Sequence, residues 1–158
     1  MGNVLIVAYG NPLRSDDALA WHAAEIMKRM SCVQRPVIHT CFQLTPELAS
    51  LVSDATAVVF VDAARDGEPG KVVTTEIHPK RQSSAFTHEF SPESILELSE
   101  NLYSRLPCRA WSVSMAGECF DHGERLSPIV NENLPNLVSA IRNIVDEQRR
   151  HRVRERID

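Results

Sequence analysis

Four acidic side chains and one imidazole carry most of the chemical potential of this sequence. Asp16 and Asp17 follow the segment Gly10-Asn11-Pro12-Leu13-Arg14-Ser15. Asp62 ends the apolar run Val58-Val59-Phe60-Val61. His88 and Glu93 come from Thr87-His88-Glu89-Phe90-Ser91-Pro92-Glu93. Carboxylates from separate segments, joined by an imidazole, form an oxygen and nitrogen donor set for a divalent metal. A carboxylate in such a place can also take a proton from water as a general base. Each residue has a plainer reading beside the chemical one. Asp16-Asp17 can cap a helix and answer its dipole, and Glu93 can do the same at another helix start. Asp62 can open a turn with Arg65-Asp66-Gly67, and His88 can be a polar loop residue. The functional reading therefore depends on whether the chain brings these segments to one place.

The pattern of elements says that it does. Asn3–Tyr9 is a run of β-branched and apolar residues, suited to a strand buried on both faces. A turn at Gly10-Asn11-Pro12 leads to a helix expected over Asp16–Met30, with Leu19, Ala23, Ile26 or Met27, and Met30 on one stripe. Val37–Phe42 reads as a weaker strand. Thr45-Pro46-Glu47 reads as the start of a short helix, with Thr45 as N-cap and Pro46 in the first turn. Ala57–Val61 is the strongest strand, with Asp62 at its carboxyl end. Lys71–Ile77 is a strand suited to an edge. Ser91-Pro92-Glu93 opens a helix to about Tyr103, and Ala110–Met115 is the last strand. The final helix carries Ile129, Val130, Leu134, Leu137, Val138, Ile141, Ile144 and Val145, with Pro135 as a point of kinking or a late start. This order implies an α/β three-layer sandwich: a mainly parallel, mixed sheet of roughly five strands flanked by helices. Ligands of such sheets bind beyond the carboxyl ends of the strands, which is where the turn after Tyr9, Asp62 and the His88 segment all fall.

Composition limits the alternatives. The chain has 158 residues, 43% hydrophobic and 24% charged, which suits one domain. That domain is expected over residues 1–148, with 149–158 (RRHRVRERID) a solvated, charged tail. A net charge of −4 gives no support for nucleic-acid binding. No apolar run is long enough for a bilayer, and the N-terminus has no secretory signal pattern. Cys32, Cys41, Cys108 and Cys119 form no CxxC pair and fit a reducing compartment, so the expected location is the cytoplasm. There is no HExxH, no GxSxG and no motif that marks a cysteine as a nucleophile. Among the remaining histidines, His22 is expected on the outer face of the first helix. His39 and His78 lie in or at the ends of strands, His122 in the late loop and His151 in the tail.

Gly10-Asn11-Pro12-Leu13-Arg14-Ser15-Asp16-Asp17-Ala18 resembles the GNPL-x-x-D-[DE] signature of hydrogenase maturation proteases. Val59-Phe60-Val61-Asp62-Ala63 is similar to that family's apolar strand ending in Asp-Ala, and Thr87-His88 resembles its His element. Gly117-Glu118 and Leu126-Ser127-Pro128 resemble its late loop and last helix start. The resemblance implies an endopeptidase that removes the C-terminal extension of a nickel–iron hydrogenase large-subunit precursor after nickel insertion. It implies that Asp17, Asp62 and His88 bind metal, either the substrate's nickel or another divalent ion, with Asp17 and Asp62 in the catalytic centre. Asp17 is a shorter arm than the Glu often found there. Glu93 competes with His88 as third donor; nickel's preference for imidazole favours His88. Gln43 lies where the family has a loop lining the substrate cleft, and its amide can both donate to and accept from a substrate backbone. Asn11 of the first motif joins it as a substrate-binding candidate. Two other classes stay open. One is a receiver-like phosphoacceptor domain, disfavoured by the displaced acidic pair and by the absence of a Lys after the last strand. The other is a non-catalytic module of the same fold that binds the precursor.

Overall fold

The computed structural model describes residues 3–30, 35–81, 89–155 and 157. Five strands form one sheet in the order β2-β1-β3-β5-β4. They are β1 (Val4–Tyr9), β2 (Val37–Cys41), β3 (Ala57–Ala64), β4 (Val72–Glu76) and β5 (Arg109–Ala116). β1 pairs in parallel with β2 and β3, and β3 with β5; β4 closes one edge antiparallel to β5. The mixed sheet and its antiparallel edge strand agree with the sequence expectation.

Side chains alternate along the strands and so feed two cores. Val4, Ile6, Ala8, Val59 and Val61 face α1 (Leu19–Arg29) and α4 (Pro128–Glu155). Leu5, Val7, Val58 and Phe60 face α2 (Leu48–Ser53) and α3 (Pro92–Tyr103). Because β1 and β3 are covered on both faces, nearly every residue in them is apolar. The exceptions at their carboxyl ends, Tyr9 and Asp62, project toward the α2/α3 side.

α3 begins as expected. The Ser91 hydroxyl accepts the Ser94 N–H at 3.2 Å, and the Ser94 hydroxyl accepts the Ser91 N–H at 2.9 Å. Pro92 occupies the first helical position. Three helical expectations need correction. Residues Ser15–Ala18 form a 3-10 turn before α1 rather than the first turn of an α-helix. α2 starts at Leu48, because Thr45 and Pro46 are spent in a turn whose carbonyls accept the Leu48 and Ala49 N–H groups. α4 runs unbroken through Pro135. Pro135 forgoes one backbone bond, to Asn131, at a position where both residues are exposed to solvent.

α4 also continues to Glu155, where a solvated tail is expected from the sequence. Pairs at helical spacing support the extension: Arg149 with Asp146 at 3.5 Å and His151 with Glu147 at 3.8 Å. Such surface pairs contribute little, about 0.3–0.5 kcal/mol each. Burial along the helix ends at Gln148. Deleting residues 150–158 is therefore expected to shift the thermal midpoint by less than about 3 °C, as read by circular dichroism. No helix among the described residues is long and apolar enough to cross a membrane.

Candidate active site

The loop after β1 is anchored at both ends by backbone geometry. Gly10 has φ +145°, and a Cβ there would sit 2.1 Å from the Asp17 carbonyl oxygen. Only glycine allows this approach, and it folds residues 11–16 back so that Asp17 faces the strand end. The Asp17 carboxylate then accepts the Asn11 N–H at 2.7 Å, and the Asn11 side-chain oxygen accepts the Leu13 N–H at 2.9 Å. The candidate Asn11 thus builds the loop. Gly10→Ala is expected to cost about 2 kcal/mol or more, since the new methyl must displace Asp17. Urea unfolding would measure it, and any function of Asp17 should fall with it.

Asp16 and Asp17 are adjacent but have different surroundings. Asp16 is fully buried. Its carboxylate accepts four hydrogen bonds from the late loop and the start of α4: the N–H groups of Glu118 (2.8 Å), Cys119 (2.9 Å) and Ser127 (2.7 Å), and the Ser127 hydroxyl (2.8 Å). Burial alone would raise this carboxyl, but those donors outweigh it and hold it below the ordinary carboxylate value. A carboxylate so engaged has no capacity to activate water, so Asp16 is removed as a general-base candidate. It also does not cap its own helix, the plain reading of the pair; instead it ties that helix to α4. Asp17 is partly exposed.

Across the sheet, Ala8 pairs with Val61, so Tyr9 and Asp62 are the next neighbours on β1 and β3. Cys41 on β2 pairs with Tyr9, and Ser114 on β5 with Asp62. The Tyr9 hydroxyl donates a hydrogen bond to Asp62. Burial pushes the Asp62 carboxyl up to about 6; the Tyr9 bond works against that rise, while the charges of Asp17 and Glu93 add to it. The same burial, with the neighbouring Asp62, Glu93 and Cys41, pushes the Tyr9 hydroxyl well above its usual range. Asp17, after β1, Asp62, near the carboxyl end of β3, and Glu93, in the first turn of α3, therefore lie within electrostatic reach of one another at one mouth of the sheet.

Sequence reasoning missed Tyr9 and Cys41. The available signal was strand alternation: both stand at carboxyl ends, on the face that Asp62 occupies. Gln43 is exposed in the loop just past Cys41. His88 lies outside the described residues. His22, His78, His122 and His151 are exposed, and His39 is half-buried in β2. Among the described residues no group of three His, Cys, Asp or Glu is arranged to hold a metal. The chemistry of the donors still suits a cation. Two carboxylates with a third nearby repel one another, and a positive ion removes that repulsion. Oxygen donors alone favour a hard ion, and a nitrogen from His88 would be needed to favour nickel.

A mixed five-stranded sheet, with Asp17 and Asp62 near the carboxyl ends of β1 and β3, defines a layered α/β protein. Solved structures with this fold include hydrogenase maturation proteases. The hydrogenase maturating endopeptidase HybD from Escherichia coli matches with a TM-score of 0.70 at 16% identity, covering 92% of this chain and 93% of its own. The nickel–iron hydrogenase maturation protease HycI from Thermococcus kodakarensis matches with a TM-score of 0.71 at 21% identity, covering 91% and 92%. A second protease from that organism, HybD, matches with a TM-score of 0.68 at 22% identity, covering 90% and 99%. At these identities the likeness is one of fold. No protein-family model and no curated protein sequence matches the chain.

Proposed function

We propose that this protein is an endopeptidase that removes the C-terminal extension from the large-subunit precursor of a nickel–iron hydrogenase, in the cytoplasm, once nickel is in place. The observation that carries the proposal is the meeting of Asp17 and Asp62 at one mouth, on a fold shared with proteins of that activity. Asp17, Asp62 and His88 would supply an incomplete coordination shell for the nickel carried by the substrate. An open position on the ion is required for this. The substrate's nickel supplies Lewis acidity toward the scissile carbonyl. The Tyr9 hydroxyl, next to Asp62 across the sheet, orients its carboxylate. Asp62, poised at about 6, is ionised at neutral pH and can take a proton from the attacking water.

In vitro processing of nickel-loaded precursor by Asp17→Asn, Asp62→Asn, His88→Ala and Glu93→Gln tests the assignment. Loss with the first three and near-normal rates with Glu93→Gln would support it. The opposite pattern at His88 and Glu93 would transfer the third donor to the carboxylate. Cleavage of nickel-free precursor at full rate would remove the metal-recognition step. Binding of the precursor without cleavage would favour the non-catalytic module. Acetyl phosphate with magnesium would label Asp62 only in a phosphoacceptor, and the antiparallel β4 departs from the all-parallel sheet of that class.

A further inference from the structure

We propose that Phe42 is a specificity-determining side chain of the mouth, and that it receives an apolar side chain of the substrate polypeptide next to the scissile segment. The inference rests on the endopeptidase reading and adds a substrate feature to it. Phe42 is 58% exposed although it directly follows β2, and Leu13, on the Asp17 loop, is 53% exposed. An exposed ring is unfavourable in water and contributes little to the fold.

This ring is nevertheless held in place. It meets Trp21 edge to face, with centroids 6.0 Å apart and planes at 76°. The Trp21 indole N–H donates to the Gly10 carbonyl at 2.9 Å, and the Gly10 N–H donates to the Cys41 carbonyl at 3.2 Å. Phe42 is thus coupled through Trp21 to the same glycine that sets Asp17. An aromatic surface fixed before binding loses little entropy when it is covered, which is the property of an interface hot spot. Two features choose the occupant. Asp17, Asp62 and Glu93 repel acidic side chains and attract a segment that carries a metal cation. Gln43, exposed beside Phe42, offers an amide to an extended backbone, so the neighbouring ring takes the side chain.

Steady-state processing of the nickel-loaded precursor by wild type, Phe42→Ala and Phe42→Leu tests this, with precursor affinity read in parallel by tryptophan fluorescence. Phe42→Ala is expected to raise KM about tenfold, with kcat changed less than about twofold. Phe42→Leu should restore most of the loss, and the exposed position predicts unchanged thermal midpoints. Replacing the apolar residues that flank the cleavage site with Asp should impair wild type but impair Phe42→Ala little further. An unchanged KM in Phe42→Ala, or a loss confined to kcat, would overturn the inference. If wild type binds the precursor without cleaving it, the endopeptidase reading fails, while weaker binding by Phe42→Ala still upholds the role of Phe42. If wild type does not bind, both fall.

Discussion

Asp62→Asn is expected to abolish precursor processing and, at the same time, to make the folded protein more stable at neutral pH. Activity should fall by at least ~1,000-fold, because the asparagine amide is a poor metal donor and cannot act as a base. The stability gain follows from the state of the native carboxylate. Burial first, then the charges of Asp17 and Glu93, lift it from its ordinary value of 3.8 to about 6. The folded protein therefore binds more protons here than the unfolded chain between about pH 4 and pH 6. Stability contributed by this group falls as pH rises through that window and stays low above it. At pH 7.5 the ionised side chain costs about 3 kcal/mol. Asparagine removes the charge and keeps an oxygen to accept the Tyr9 hydroxyl. Urea unfolding at pH 7.5 should show the variant to be the more stable, and the difference should vanish near pH 4. The wild-type rate should rise with pH through about 6, since either role of Asp62 requires the ionised form. A variant less stable than wild type at pH 7.5 would mean that Asp62 is not held under electrostatic strain. Normal processing by it would remove the site.

Much of this arrangement is visible in the chain itself, because burial on both faces leaves a strong mark. β1 and β3 are nearly pure apolar runs, so a Gly-Asn-Pro turn after one and an Asp ending the other stand out as changes of pattern. The Ser91-Pro92 start of α3 is legible because capping is a local matter of hydroxyls and backbone N–H groups. Where contacts are non-local, sequence is silent. Nothing near Asp16 announces that its partners are Glu118, Cys119 and Ser127, more than 100 residues away. Asp16 and Asp17 therefore look alike in sequence, and only packing separates a wholly engaged anchor from a partly exposed donor. Tyr9 was hidden for a related reason. In a strand of buried aliphatics it reads as one more hydrophobe, and its polar end matters only because β3 puts Asp62 beside it. The helical extension of α4 escaped because its last turns are held by charge pairs rather than by an apolar stripe.

Asp16→Ala should have the opposite signature to Asp62→Asn, although both remove a carboxylate within the same edge of the molecule. The native Asp16 carboxylate, itself fully buried, satisfies three backbone N–H groups and a hydroxyl. Alanine leaves those donors without an acceptor and opens a void, for an expected loss of about 3–5 kcal/mol. Asp16→Asn should recover only part of it, because one arm of the amide carries N–H groups that would face other N–H groups. Position adds to the cost. Ser127 begins α4, since its carbonyl accepts the Asn131 N–H at 2.9 Å, so Asp16 also places a negative charge at that helix start. A Cβ on Gly117 would lie 2.9 Å from the Asp16 Cβ, which leaves the late loop little room to close over the gap by another route. The pH dependence carries the opposite sign to that of Asp62. The Asp16 carboxyl is held below its unfolded value, so its contribution is fully present above about pH 4 and is lost as pH falls through its folded value. Asp16→Ala should therefore be much less stable than wild type at pH 7 and closer to it in acid. Loss of processing by this variant should follow its unfolded fraction, whereas Asp17→Asn and Asp62→Asn should be inactive while fully folded. If Asp16→Ala were inactive at a temperature where circular dichroism shows it fully folded, Asp16 would belong to the chemistry after all, and its division of labour with Asp17 would have to be redrawn.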